Sequence, residues 1–96
     1  MRIEISLRAR SDILEIHAYL SERSPVAAER ILTKFSRRFD ELREFPLLGP
    51  DRSEFRKSLR GLVIDGYIAF YIVEPDRIVI VRVLDSRMDI RNVLSQ

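Results

Sequence analysis

Two strand-like runs that are apolar nearly throughout, Tyr67–Glu74 and Arg77–Leu84, meet at a Pro75-Asp76 turn. Asp65-Gly66, a strong hairpin signal, stands immediately ahead of them. Strands this apolar are covered on both faces, because an alternating pattern is what a half-solvated strand shows. The C-terminal third therefore predicts an antiparallel meander buried between two layers. In a chain of 96 residues, 46% of them hydrophobic, there is material for one core and one domain.

The covering layer comes from two helix patterns upstream. Arg2–Ser6 alternates polar and apolar residues and predicts a short strand, with Ser6 placed to cap the helix after it. From about Ala9 to Leu20, apolar residues fall at Ala9, Ile13, Ile16 and Leu20, at helical intervals. Asp12 and Glu15 lie near the start of this helix, where its dipole favours acids. Ser24 then caps a second helix, with Pro25 at its first position, where a missing N–H costs nothing. Ala28, Ile31, Leu32, Phe35, Phe39 and Leu42 form its apolar stripe. Pro46 disfavours helix at Phe45 and ends it. So short a link predicts an antiparallel helical hairpin.

Pro46–Ser53 reads as a loop. Phe55–Leu59 and Leu62–Ile64 read as one bent strand, with a bulge or turn at Arg60-Gly61. The tail Met88–Leu94, as a short helix or an extended segment, or else a partner, must cover the sheet face that the hairpin leaves open. The predicted fold class is α+β, in the order β-α-α-β-β-β with a short C-terminal helix or tail: a helical hairpin packed on a small, mostly antiparallel sheet.

Chemistry is sparse. There is no cysteine, so no disulfide, thiolate ligand or thiol nucleophile is available. His17 is the only histidine, with no base-and-orienter arrangement around it, and no metal motif or phosphate-cradling glycine loop occurs. No metal and no cofactor are expected. The uninterrupted apolar stretches, Ile78–Val81 among them, are far too short to cross a bilayer, so no membrane partner is expected and a cytoplasmic location is the default. The formal net charge is only +2, but 15 of the 17 basic residues are arginine, which suits protein interfaces and bidentate anion recognition. Arg56, Lys57, Arg60, Arg82, Arg87 and Arg91 are candidates for a basic rim on the sheet. The plainer alternative is that they pair with Glu54, Asp65, Asp85 and Asp89. Tyr67 and Tyr71 share a strand face; Tyr71 is a candidate for stacking on a base, or simply core.

Several of these pieces, in their order, resemble the ParE/RelE toxin superfamily. They are Ala9…Asp12-Ile13…Ile16…Tyr19, Ser24-Pro25-Val26-Ala27-Ala28, Phe45-Pro46-Leu47-Leu48-Gly49, Leu59-Arg60, Gly66–Tyr71, and Arg82-Val83-Leu84-Asp85…Arg87-Met88-Asp89. The Ser-Pro-x-Ala-Ala helix start and the long second helix are similar to the ParE branch. The resemblance implies the toxin half of a type II toxin–antitoxin pair, with a cognate antitoxin as partner. ParE-like toxins act by binding DNA gyrase; RelE-like toxins cut messenger RNA on the ribosome.

Three positions bear on that choice. Ile68 stands where RelE-like chains carry a catalytic arginine, and no Tyr or His follows Arg87 to act as acid or base. Asp85 stands where ParE-like chains commonly have His, a departure from both branches. The resemblance therefore implies a gyrase-binding surface at Arg82, Arg87, Met88 and Arg91. For the ribonuclease alternative the set is Lys57, Arg60, Arg82 and Arg87. A non-toxic binding module of the same fold is the third possibility. Leu14, Tyr19, Phe39 and Phe45 are the expected antitoxin contacts, with ordinary core packing favoured for Phe39.

Overall fold

The structure, a computed structural model, describes residues 1–95. Its elements follow the chain as β1 (Arg2–Ile5), α1 (Leu7–Ser21), α2 (Pro25–Glu44), β2 (Arg60–Ile64), β3 (Tyr67–Val73), β4 (Arg77–Asp85) and α3 (Ile90–Leu94). The caps read from sequence are in place. Ser6 Oγ accepts from Ala9 N at 3.1 Å and Ser24 Oγ from Ala27 N at 3.1 Å, so each helix has one of its orphan N–H groups satisfied. α2 stops where Pro46 dictates, its last turn closed by Phe45 N–H donating to Glu41 O.

The four strands make one sheet in the order β1-β4-β3-β2. β2, β3 and β4 form the expected antiparallel meander, while β1 pairs with β4 in parallel. The β3–β4 register shifts between Phe70 and Tyr71, a bulge in the middle of the hairpin. The expected strand over Phe55–Leu59 does not form. Those residues are turns, with Ser58 at a φ of 65°, and the strand begins at Arg60 with Arg60-Gly61 in regular pairing. The apolar residues that suggested a strand, Phe55 and Leu59, instead plug the sheet face from a loop.

Both faces are covered, as the apolar strands require. The α1–α2 hairpin lies on one, packing Ala9, Ile31, Phe35, Phe39 and Leu42 against Leu62, Ala69, Tyr71, Ile78, Ile80 and Val83. The other face is smaller: Leu59, Ile68, Phe70 and Leu84 close beneath Ile90 of α3. A five-residue helix is unstable alone; α3 holds through this packing and through Asp89, which caps it by accepting from Asn92 N–H.

The loop between α2 and β2 is pinned from within. Tyr71, fully buried, accepts from Gly49 N–H and donates to Pro46 O, both at 2.8 Å. Tyr71 is thus core and is no platform for a base. Arg60 donates Nε to Gly49 O at 2.7 Å and Nη2 to Leu47 O. Gly49 has to be glycine for space: a Cβ there would lie 2.8 Å from Tyr71 Cε1 and 2.9 Å from the Gly61 carbonyl.

Candidate functional site

β1 accompanies β4 only from Arg77 to Ile80. Beyond that, β4 would present an open edge, and α1 takes the place of a strand. Ser6 N–H donates to Ile80 O, Ser6 Oγ–H donates to Val81 O, and Asp12 Oδ2 accepts from Val83 N–H at 2.9 Å. Asp12 also receives Arg82 Nε on Oδ2 at 2.8 Å and Nη2 on Oδ1 at 3.0 Å. The carboxylate is 6% exposed and takes three N–H bonds, so a buried charge is compensated both by an opposite charge and by backbone. This corrects the helix-dipole role expected for Asp12, which is a tertiary latch between α1 and β4. The signal was present: Asp12 lies on the buried stripe of Ala9, Ile13 and Ile16, where an acid needs a partner.

Next to the latch, α1, the end of β4 and the following turn enclose a groove of about 360 Å³, lined by Glu15, Ile16, Tyr19, Tyr67, Leu84 and Met88 among others. The turn is built by Asp85. Its Oδ1 accepts from Arg87 N–H at 2.9 Å, and its two oxygens take the Arg87 guanidinium at 3.1 and 2.8 Å. These bonds hold the pKa of the Asp85 carboxyl down at about 2. Arg87 is thereby aimed while its side chain stays 85% exposed. Burial, with a smaller contribution from the Asp85 charge, pushes the Tyr67 phenol up. Tyr19 is half-exposed on the opposite wall, with the Arg23 guanidinium 3.8 Å from its ring centroid.

The residues singled out from sequence therefore separate. Tyr19, Arg87 and Met88 meet at this groove, although the resemblance assigns Tyr19 to the antitoxin and the other two to the target. Arg82 is half-buried in the Asp12 latch, its side chain 13% exposed, and is not at the groove with Arg87 and Met88. Arg91 lies on α3, donating to Glu54 O and stacking over Phe55. Leu14 and Phe45 are exposed, whereas Phe39 is core, stacked on Phe35. Of the ribonuclease set, Arg60, Arg82 and Arg87 all engage internal acceptors, and only Lys57 stands clear in its loop. Of the four acids expected to pair with the rim, Asp85 holds Arg87, while Asp65 takes Lys34 and Glu54 takes Arg52. His17 bridges the two helices through Glu29 at 2.7 Å. Among the described residues no three metal-ligating side chains converge. No helix is long and apolar enough to cross a membrane.

Comparison with known proteins agrees with this architecture. Residues 3–90 match the family model described as the ParE toxin of the type II toxin–antitoxin system parDE. Toxin RelE3 of Caulobacter vibrioides is 32% identical over 88 residues, covering 88% of this chain and 92% of that protein. Toxin ParE3 of the same organism is 38% identical over 52 residues, covering 54% and 52%. A solved chain of the chromosomal ParDE system from P. aeruginosa superposes with a TM-score of 0.75 at 19% identity, over 88% of this chain and 95% of that one. The strand, helical hairpin, meander and short terminal helix are thus those of a toxin, and this chain belongs to the ParE family of type II toxin–antitoxin systems.

Proposed function

We propose that this toxin acts by binding, with DNA gyrase as its target, and that its antitoxin covers the exposed apolar residues of the helical side. The observation that carries the first part is the state of the arginines. A ribonuclease needs cations free to meet a phosphorane and a group free to move a proton. Here Arg60 holds the 47–49 loop, Arg82 holds Asp12 and Arg87 is held by Asp85. The one buried tyrosine hydroxyl of the sheet, that of Tyr71, is committed to Gly49 and Pro46. What remains presentable of the residues named for a target is Lys57 in its loop and a surface: Arg87 and Met88 beside the Tyr19 groove, with Arg91 beyond on α3. Poisoning by recognition requires no more than that.

For the antitoxin, Leu14, Tyr19 and Phe45 are 69%, 53% and 62% exposed, and Leu47 is 67% exposed. Exposed apolar residues of this kind suit an amphipathic partner segment. Phe39 contributes from beneath, as core. The second reading, cleavage of messenger RNA on the ribosome, is favoured by one observation: the relative of 32% identity bears the name RelE3.

The experiment is induction in bacteria without antitoxin, following labelled thymidine and methionine together. An early fall in thymidine incorporation with protein synthesis intact supports gyrase. An early fall in methionine incorporation overturns it and moves the target to translation. Replacing Arg87 and Arg91 by Ala abolishes toxicity on the proposed reading; a fully toxic, folded double variant removes that surface from it.

A further inference from the structure

On the far side of the Asp12 latch, between the start of α1, β4 and α3, lies a second cleft of about 570 Å³. Arg8, Arg56 and Arg82 line it with Ser6, and Val81 and Leu94 contribute apolar surface; among the described residues no acid is in its walls. Arg82 is neutralised from behind by Asp12 through Nε and Nη2, and its Nη1 has no acceptor among the described residues. Arg8 and Arg56, both exposed, and the neighbouring Lys57 have no carboxylate partner among the described residues. Other arginines on the surface also lack a carboxylate among the described residues, Arg30 and Arg37 for instance; what sets this region apart is that Arg8, Arg56 and Arg82 line one cleft together. A second feature has the same sign. The first N–H groups of α1, those of Leu7 and Arg8, make no bond among the described residues, and the helix dipole adds positive potential there.

We infer that this cleft is a contact site for the phosphodiester backbone of DNA. Repulsion among Arg8, Arg56 and Lys57 is relieved by a ligand with repeated, evenly spaced negative charge, and guanidinium forks match phosphate oxygens. The walls offer cations and backbone N–H groups and no acceptor set for reading base edges, so binding is independent of sequence. DNA rather than RNA rests on the proposed function: gyrase is engaged with cleaved DNA, and a toxin bound beside it gains from gripping the strand. The site is separate from Arg87, Met88 and Tyr19; it shares Arg82 with the sets considered for gyrase and RNA and adjoins Lys57 of the RNA set, whereas Arg8 belongs to neither.

The test is fluorescence anisotropy of the full chain with a labelled duplex of about 20 base pairs, from about 50 mM salt upward. The variants are R8E/R56E and, as a control of equal charge change, R30E/R37E on the exposed face of α2. Glu at position 8 suits a helix first turn, so R8E/R56E keeps its fold, checked by circular dichroism. The expected result is a loss of about tenfold or more in R8E/R56E only, with the slope of log affinity against log salt shallower by about 1.8, the value for two phosphate contacts. Equal loss in both variants, absence of binding by the parent chain, or tighter binding of single-stranded RNA of the same length would each overturn the inference. Gyrase assays keep the two proposals apart. A chain that binds DNA as described yet leaves gyrase untouched retains the site and loses the target; one that poisons gyrase while R8E/R56E still binds DNA does the reverse.

Discussion

Replacing Asp12 by Ala tests the central argument about how α1 is fixed to the sheet. The substitution removes the acceptor of three N–H bonds at once. Two consequences add. The Arg82 guanidinium, 13% exposed, loses its counter-charge, and deleting one partner of a buried pair costs about 3–5 kcal/mol. The buried Val83 N–H loses its only acceptor, which costs about 1–3 kcal/mol. Arg82 lines a cleft and can turn into it, which places the first figure at its lower end. A total of about 4 kcal/mol follows, a large share of the roughly 5–15 kcal/mol that holds a domain of this size. The assay is urea unfolding followed by circular dichroism, with a double-mutant cycle. Asp12→Asn keeps an oxygen for Val83 and falls between the parent and Asp12→Ala. Arg82→Met alone is destabilising, but in the Asp12→Ala background it is neutral or restorative, because the stranded charge has gone. A loss below about 1 kcal/mol for Asp12→Ala, or an Arg82→Met effect equally harmful in both backgrounds, would refute the latch.

Gly49→Ala drives a methyl into Tyr71 and the Gly61 carbonyl, at 2.8 and 2.9 Å; the expected loss is about 2 kcal/mol, read as a lower urea midpoint at unchanged slope. Asp85 has its carboxyl lowered from the usual 3.8 to about 2 by Arg87. Its stabilising contribution is present above about pH 4 and is lost as pH falls through about 2. Carbon-detected titration of Asp85 should show that midpoint, and Arg87→Ala should return it towards 3.8; an ordinary midpoint in the parent chain would sink the assignment. Leu14→Glu, at a 69% exposed site, leaves stability within about 0.5 kcal/mol but weakens capture by the antitoxin about tenfold or more in calorimetry. Phe39→Ala, by contrast, costs about 3–5 kcal/mol because its ring is core.

The features legible in the sequence are local. Ser24-Pro25 and Pro46 bracket α2 because capping and proline geometry act within one turn, and Asp65-Gly66 marks the β2–β3 hairpin for the same reason. Even there the detail differs, since Asp65 rather than Gly66 takes the positive φ, at 55°. The features that stay hidden depend on partners distant in sequence. The parallel β1–β4 pairing joins Arg2 to Arg77, and no turn residue announces it. Asp12 and Arg82 are 70 residues apart, so an acid in an early helical turn reads as a dipole partner. Phe55 and Leu59 carry the apolar spacing of a strand, but loops that plug a core need apolar residues too. At the site, Arg87 and Met88 are reachable from the end of β4, whereas their meeting with Tyr19 needs the packing angle of α1.

Pairing β1 with β4 sets an order on synthesis. Ser6 and Val81 bond across 75 residues, and β1 has no other neighbour in the sheet. The helical hairpin leaves the ribosome early, with its apolar stripe facing nothing, and waits for the meander before it can dock. A nascent chain halted before β4 has no edge for β1, no Val83 N–H for Asp12 and no Asp85 to aim Arg87. Interrupted translation thus yields fragments whose apolar stripe stays uncovered, open to proteolysis, and the fold is complete only when nearly the whole chain is out.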